Sequence, residues 1–112
     1  MKKKTILVTG TSGFIGKLFL KDALRKGYHV IDILRFKNKK NKDLNLIRKK
    51  FFKTYKSIFF KNNNEIENKL YNLNIDFFIN FATLYKNNHK HLEIPKFINS
   101  NITFPTIILD VI

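Results

Sequence analysis

Three glycines at a regular spacing are the feature that most constrains how this chain can fold. Gly10, Gly13 and Gly16 lie in the segment VTGTSGFIG, residues 8–16. The segment follows TILVT, a short apolar run of the kind that forms a buried parallel strand. It precedes a stretch whose apolar residues recur three to five positions apart, which is typical of one helix face. The sequence therefore predicts a strand, a glycine loop and a helix in direct succession.

The rest of the chain continues this alternation of strand and helix. Short apolar or aromatic runs predict further strands, and apolar residues spaced three or four apart predict helices. The predicted strands are 5–9, 29–34, 57–60 and 76–83. The predicted helices are 14–26, a short helix after a charged loop within 36–56, then 65–72 and 95–112, the last weakened by Pro105. Leu44, Ile47, Phe51 and Phe52 could line one face of the short helix. Gly27 is placed where it would end the first helix.

Alternation of this kind predicts an α/β fold with a parallel sheet covered by helices on both faces. With about four strands, the chain corresponds to the N-terminal half of a Rossmann-type, doubly wound sheet. We expect one domain over residues 1–112, incomplete because the later strands and a substrate lobe are missing.

The glycine loop has a chemical use in this position. A phosphate that approaches the backbone closely needs side chains to be absent, and a helix N-terminus offers free N–H groups and a positive dipole end. Gly10 would permit the tight turn, Gly13 the approach of a pyrophosphate, and Gly16 close packing of helix on strand. No Gly-Lys-Ser/Thr follows, so a P-loop matches poorly. The loop therefore predicts dinucleotide binding.

Charge and composition suggest a second class of partner. The net charge is +14, but among the 22 basic residues 19 are Lys and 3 are Arg. Arg is the residue that most often binds bases and phosphates with two hydrogen bonds, so its scarcity favours compositional drift over a nucleic-acid surface. No apolar segment reaches the roughly 18 residues of a membrane span. There is no cysteine, which suits a cytoplasmic protein and excludes disulfides and thiolate metal sites.

The glycine segment also resembles a known family. VTGTSGFIG is similar to the T-G-x-x-G-F-I-G signature of extended short-chain dehydrogenases/reductases, the NAD-dependent epimerase/dehydratase family. The similarity continues along the chain: LRKGYHVIDILR resembles the second strand of that family, NIDFFINFATLY its fourth, and NSNITFPTIILDVI the following helix. The Ala-Thr-x-Tyr step after the fourth strand resembles members that act on sugar nucleotides.

The resemblance implies a set of cofactor-binding residues. The pyrophosphate would contact the loop and helix start: Gly10, Ser12, Gly13, Phe14, Ile15 and Gly16. The ribose and adenosine would contact residues after the third and fourth strands: Asn62, Phe81, Ala82 and Thr83. Asn62 stands near the place of a family Asp that bonds the adenine amine, and Asn101 would match a helix Asn that helps to organise the active site.

One departure from the family concerns the choice between NAD and NADP. The family often has an acidic residue at the end of strand two, where it bonds the ribose 2′-hydroxyl. Here Leu34 and Arg35 stand at that place, and Asp32 comes two residues too early. A guanidinium there suits a 2′-phosphate, so the sequence leans slightly toward NADP; the alternative is a solvated charge.

A second departure concerns catalysis. The family uses a Tyr-x-x-x-Lys pair, in which Lys lowers the pKa of the Tyr that acts as acid and base. None of the four tyrosines of this chain has Lys four residues later. Tyr28 is followed there by Asp32, Tyr55 by Phe59, Tyr71 by Ile75 and Tyr85 by His89. We therefore expect no catalytic residue, and enzymatic activity of this chain by itself is uncertain.

Two histidines remain to be assigned. His89 and His91 lie near Glu93, but no zinc-ligand spacing is completed, which favours a polar loop over a metal site.

These observations predict the NAD(P)-binding portion of a sugar-nucleotide epimerase, dehydratase or reductase, with hydride transfer at the nicotinamide in the complete enzyme, which could form a homodimer. The alternative is a small basic protein that binds nucleic acid, or a protein that binds a nucleotide without catalysing a reaction.

Overall fold

A four-stranded parallel sheet forms the centre of the computed structural model, which describes residues 3–81 and 104–112, apart from the side chain of Val111. The strands are β1 (Thr5–Thr9), β2 (His29–Arg35), β3 (Tyr55–Phe60) and β4 (Phe77–Asn80). They are ordered β3-β2-β1-β4, and every pair is parallel. The predicted α/β architecture, with about four strands, is confirmed.

Helices cover both faces of the sheet. They are α1 (Phe14–Arg25), α2 (Lys42–Lys50), α3 (Ile66–Leu70) and α4 (Phe104–Val111), with 3₁₀ helices at Phe36–Lys40 and Asn63–Glu65. None of the helices in the described part of the chain is long and apolar enough to span a bilayer.

The core has two layers because successive strand residues point to opposite faces. On one face, Ile6, Val8, Val30 and Leu34 pack against Leu20, Ala23 and Leu24 of α1 and Leu44 and Ile47 of α2. On the other face, Leu7, Ile31, Ile33 and Phe60 pack against Ile66 and Leu70 of α3 and Phe104 and Ile108 of α4. The two central strands, β1 and β2, are therefore buried on both sides, as their continuous apolar runs indicate.

Several predicted boundaries are wrong. β3 begins at Tyr55 rather than at residue 57, because Tyr55 is already paired with Val30. The charged segment Phe36–Lys40, predicted as a loop, forms a 3₁₀ helix. Phe51 and Phe52 were predicted on the face of the second helix, but that helix ends at Lys50, and the Phe52 side chain is exposed.

Two C-terminal predictions are only partly described. The fourth strand was predicted over 76–83, and β4 is shorter, Phe77–Asn80; residues 82 and 83 lie outside the described residues. The last helix was predicted over 95–112, of which the structure describes Phe104–Val111. Pro105 falls in the first turn of α4, where its missing N–H removes no helical bond.

Candidate dinucleotide-binding site

The carboxyl ends of the four parallel strands meet at one edge of the sheet, and the glycine loop lies there. The loop follows β1, which has β2 on one side and β4 on the other. β1 leads directly into α1, whereas β4 is reached by a crossover from β3, so the connections diverge beside β1. Ligands of open α/β sheets bind in the crevice at such a switch point.

The loop is a tight turn with two demands for glycine. Gly10 has a φ of +80°, a left-handed conformation that glycine adopts without steric cost. The Gly13 N–H donates to the Gly10 carbonyl over 3.1 Å and closes the turn. A Cβ on Gly16 would lie 2.0 Å from the Gly10 carbonyl oxygen, so α1 packs directly on the loop backbone. The predicted roles of Gly10 and Gly16 in this turn agree with that geometry.

Gly13 differs from the other two glycines because the protein itself leaves room for a side chain there. Its φ of −83° and ψ of 169° are ordinary extended values. A Cβ at this residue would meet the Gly10 carbonyl oxygen at 3.5 Å, an ordinary van der Waals contact. The packing of the protein therefore does not itself require a glycine at Gly13.

The first turn of α1 presents unpaired donors. Gly13 is the N-cap and has no side chain to accept a hydrogen bond, and the first turn contains no acidic residue. Within the described residues, no acceptor is found for the backbone N–H groups of Phe14 and Ile15. Both residues are exposed, Phe14 by 77% and Ile15 by 59%. An uncapped helix start that faces solvent is suited to an anion.

The β4 side of the crevice is tied by hydrogen bonds to the end of β1, directly before the loop. The Thr9 hydroxyl donates to the Asn80 side-chain oxygen, and the Phe81 N–H donates to the Thr9 carbonyl over 3.1 Å. The Phe81 ring packs against Phe19 of α1, with ring centroids 5.4 Å apart. Phe81 therefore stands beside the loop and supports α1, while Ala82, Thr83, Asn101 and the two candidate histidines lie outside the described residues.

The β2 side of the crevice is basic and aromatic. Arg35, the last residue of β2, is exposed, and its guanidinium lies 5.4 Å from the centre of the Phe60 ring. The ammonium groups of Lys39 and Lys61 lie 4.3 and 4.7 Å from the centre of the Phe36 ring. In the described part of the chain, none of these three cations forms an ion pair. Their charge remains available to an anionic ligand.

Asn62 lies two residues after the end of β3, on the same edge of the sheet. Its side chain is exposed, and its oxygen accepts a hydrogen bond from the Asn64 N–H over 3.1 Å. An amide oxygen has two lone pairs. The predicted hydrogen bond with adenine would therefore use the second lone pair of an oxygen already held by its own turn.

Asp32 is the residue whose importance the sequence analysis missed. It lies in the middle of β2, and its side chain is fully buried between Val8 of β1 and Ser57 of β3. One carboxyl oxygen accepts from the Thr11 hydroxyl over 2.6 Å and from the Tyr55 hydroxyl. The other oxygen has no hydrogen-bond partner among the described residues. The sequence signal was present, since a charge inside an apolar strand requires partners.

Further polar side chains surround this carboxyl group. Arg48 of α2 donates to Ser57 and Asn45, and its guanidinium lies 3.4 Å from the Tyr55 hydroxyl oxygen. Burial and the neighbouring carboxylate raise the pKa of Tyr55 above its usual range, so the phenol remains a neutral donor. The titratable groups that face Asp32 from the elements described are therefore Tyr55 and Arg48.

The buried Asp32 makes a pH-dependent contribution to stability. Burial raises the pKa of its carboxyl above the ordinary 3.8, against the opposing hydrogen bonds and the Arg48 charge. The native state then holds this proton more tightly than the unfolded chain. Its contribution to stability is full below pH 3.8 and is lost as the pH rises through the native pKa.

We therefore expect the wild type to lose the Asp32 contribution as the pH rises from about 4, whereas Asp32→Asn has no carboxyl group to titrate there. The free energy of unfolding of the variant, minus that of the wild type, should increase with pH. Urea denaturation at a series of pH values measures this difference, in which the titration of exposed groups cancels. A difference that is constant with pH would contradict the assigned cause.

The sheet order and the glycine loop together define a dinucleotide-binding α/β fold of the Rossmann type. The model of the NAD dependent epimerase/dehydratase family matches residues 6–112, and the chain belongs to this family. The family is NAD(P)-dependent, as the resemblance of the glycine segment predicted. A search of curated proteins found no match.

Solved structures share the fold. UDP-glucose 4-epimerase from Bifidobacterium longum, in complex with NAD+ and UDP, is 26% identical with a TM-score of 0.77; the match covers 96% of this chain and 33% of that one. An alcohol dehydrogenase from Comamonas testosteroni specific for bulky-bulky ketones is 23% identical with a TM-score of 0.77, covering 96% and 47%. An ElxO variant with NADPH bound is 23% identical with a TM-score of 0.72, covering 98% and 49%. The chain thus spans about half or less of these proteins.

Proposed function

We propose that residues 1–112 bind NAD or NADP through the glycine loop, as the cofactor-binding portion of a nucleotide-sugar epimerase, dehydratase or reductase. The observation that carries this proposal is the start of α1, where the Phe14 and Ile15 N–H groups follow a residue without a side chain and have no acceptor among the described residues. Family membership supports the same ligand.

The residues of the loop would hold the pyrophosphate. The Phe14 and Ile15 N–H groups would donate to its oxygens, and Gly13 would leave the space that the phosphate needs. The positive end of the α1 dipole adds to the attraction. When bound, the nicotinamide would accept or donate a hydride; the chain itself supplies binding and orientation.

The nucleotide-sugar substrate is supported by the sequence after β4 and by the likeness to a UDP-glucose 4-epimerase. The residues that would contact the sugar and perform acid–base chemistry belong to the complete enzyme. We propose that the complete enzyme is cytoplasmic and forms a homodimer. Within this chain we assign no catalytic residue.

NADP is favoured over NAD by the charges at the end of β2. Arg35 ends the strand, and Lys39 and Lys61 flank the exposed Phe36 ring beside it. A 2′-phosphate on the adenosine ribose would meet three cations there, none of which forms an ion pair among the described residues. Charge-assisted hydrogen bonds to phosphate are about twice as strong as neutral ones.

The substitution Arg35→Gln tests this preference. We expect the affinity for NADPH to fall about tenfold, because one charge-assisted bond is lost, while the affinity for NADH stays within about twofold. Arg25→Gln is the matched control, since Arg25 lies at the far end of α1 and is exposed. Isothermal titration calorimetry measures both. An equal loss for the two cofactors would argue against a 2′-phosphate contact.

The proposed function itself is tested by titrating the full chain with NADPH, NADH and a short DNA duplex at low and high salt. Saturable binding of a dinucleotide that changes little with salt supports the proposal. Tight binding of the duplex that falls steeply with salt would favour the alternative of a basic nucleic-acid-binding protein. No binding of either dinucleotide would refute the proposal.

A further inference from the structure

Thr11 is the one side chain of the glycine loop that is fully buried. Ser12 and Gly13 are exposed, whereas Thr11 has no accessible surface. Its hydroxyl donates over 2.6 Å to a carboxyl oxygen of Asp32, which lies 21 residues further along the chain. This bond joins the loop to the middle of the neighbouring strand.

The loop needs such an anchor because glycine has the largest conformational freedom of all residues. Two glycines, Gly10 and Gly13, flank Thr11 and Ser12, and the Gly13 N–H closes the turn onto Gly10. α1 holds the loop from one direction, since a Cβ on Gly16 would lie 3.0 Å from the Thr11 Cα. The Asp32 carboxyl holds it from the side of the neighbouring strand β2.

The carboxyl group is itself fixed. The Tyr55 hydroxyl of β3 donates to the same oxygen that accepts from Thr11. Arg48 and Ser57 lie behind Tyr55. A buried acidic side chain that is held by a second strand cannot easily follow the loop if the loop moves.

We propose that Asp32 is a positioning residue, which fixes the phosphate loop through the Thr11 hydroxyl and so orients the N–H groups at the start of α1. Asp32 is fully buried, so it would act without touching the ligand. The effect of the anchor on dinucleotide affinity rests on the proposed function, whereas its effect on the loop does not. Preorganised donors bind more tightly because less ordering is needed on binding.

The decisive variant is Thr11→Val, which removes the hydroxyl and keeps the branched shape. Thr11→Ser keeps the hydroxyl and serves as the rescue. Amide hydrogen exchange, measured by NMR without nucleotide, reports on the Gly13 N–H, which closes the loop, and on the Lys26 N–H, which bonds to Asp22 at the other end of α1. NADPH affinity is measured on the same samples.

We expect Thr11→Val to accelerate exchange of the Gly13 amide about tenfold and to weaken NADPH binding about tenfold, as for loss of a hydrogen bond to a charged group. Exchange of the Lys26 amide should change only as much as global stability does. Thr11→Ser should stay close to the wild type. Asp32→Asn, which keeps an acceptor oxygen, should lose less affinity than Asp32→Leu.

A control variant separates positioning from a loss of stability. Ile66→Val removes one buried methyl group on the opposite face of the sheet, where it contacts neither the loop nor the Asp32 network. It should lower stability without changing exchange of the Gly13 amide relative to Lys26, and without weakening NADPH binding.

The outcomes distinguish the two proposals. If Thr11→Val leaves exchange of the Gly13 amide unchanged, or if Ile66→Val has the same effect as Thr11→Val, the positioning role is overturned. If Gly13 exchange accelerates in Thr11→Val alone but the wild type does not bind NADPH, the anchor is supported and the proposed function fails.

Discussion

Replacing Gly16 with Ala is expected to destabilise the protein by at least about 3 kcal/mol, at the upper end for an overpacked core. The new Cβ would lie 2.0 Å from the Gly10 carbonyl oxygen and 2.6 Å from its carbonyl carbon. Both atoms belong to the backbone of a tight turn, so no side chain can rotate away. α1 would have to move off the loop and lose its packing on the sheet.

The sign of this effect is informative because local propensity predicts the opposite. Gly16 lies inside α1, where Ala is normally more favourable than Gly by about 1 kcal/mol. Urea denaturation followed by circular dichroism measures the change. A Gly16→Ala variant as stable as the wild type would mean that the helix packs on the glycine loop less closely than the 2.0 Å distance requires.

The elements of this fold that the sequence predicts are those fixed by local pattern. Runs such as TILVT are apolar at consecutive positions because parallel strands are covered on both faces. Glycines at three-residue intervals permit a turn and a close helix contact, which the structure confirms at Gly10 and Gly16. The family was predicted from the same residues, because their spacing reflects one backbone geometry.

Boundaries were predicted less well because distant residues determine them. β3 begins at Tyr55 since Val30 of β2 supplies its pairing partner, a fact that no local window around residue 55 contains. α2 ends at Lys50, although Phe51 and Phe52 continue the apolar spacing, because Phe51 leaves helical geometry and the chain turns toward β3. The exposed Phe52 shows that apolar spacing alone does not secure burial.

The Asp32 network could not be assembled from the sequence. Its donors lie 21 and 23 residues from the carboxyl group, on a loop and a strand that meet only in the folded sheet. In the sequence, Asp32 stands two residues before the predicted strand end, which is too early to bond a ribose. Full burial agrees with that conclusion, while the hydrogen bond to Thr11 gives the residue a different role.

Replacing Gly13 with Asp is expected to stabilise the fold and to abolish dinucleotide binding. Gly13 is the N-cap of α1 with extended φ and ψ, and Asp is among the most favourable residues at such a position. Its carboxylate would accept the free N–H groups of the first turn and interact favourably with the helix dipole. We expect a gain in stability of about 0.5 kcal/mol.

The same carboxylate would occupy the donors on which the proposed function depends. It would also place a negative charge where the pyrophosphate should lie, so NADPH affinity should fall at least about 100-fold, or about 2.7 kcal/mol. Calorimetric titration and urea denaturation of one preparation measure both quantities.

Gly13→Ala is the matched control, because it adds bulk without a capping group. A Cβ there has ordinary contacts with the protein, yet Ala is a poor N-cap, so stability should fall by up to about 1 kcal/mol. NADPH affinity should fall less than in Gly13→Asp, since the N–H groups stay free. A gain in stability for Gly13→Asp and a loss for Gly13→Ala, together with a loss of NADPH affinity in both, would locate the ligand at these donors. Wild-type affinity in Gly13→Asp would show that the phosphates bind elsewhere, because a helix start cannot be capped by its own side chain and by a ligand at once.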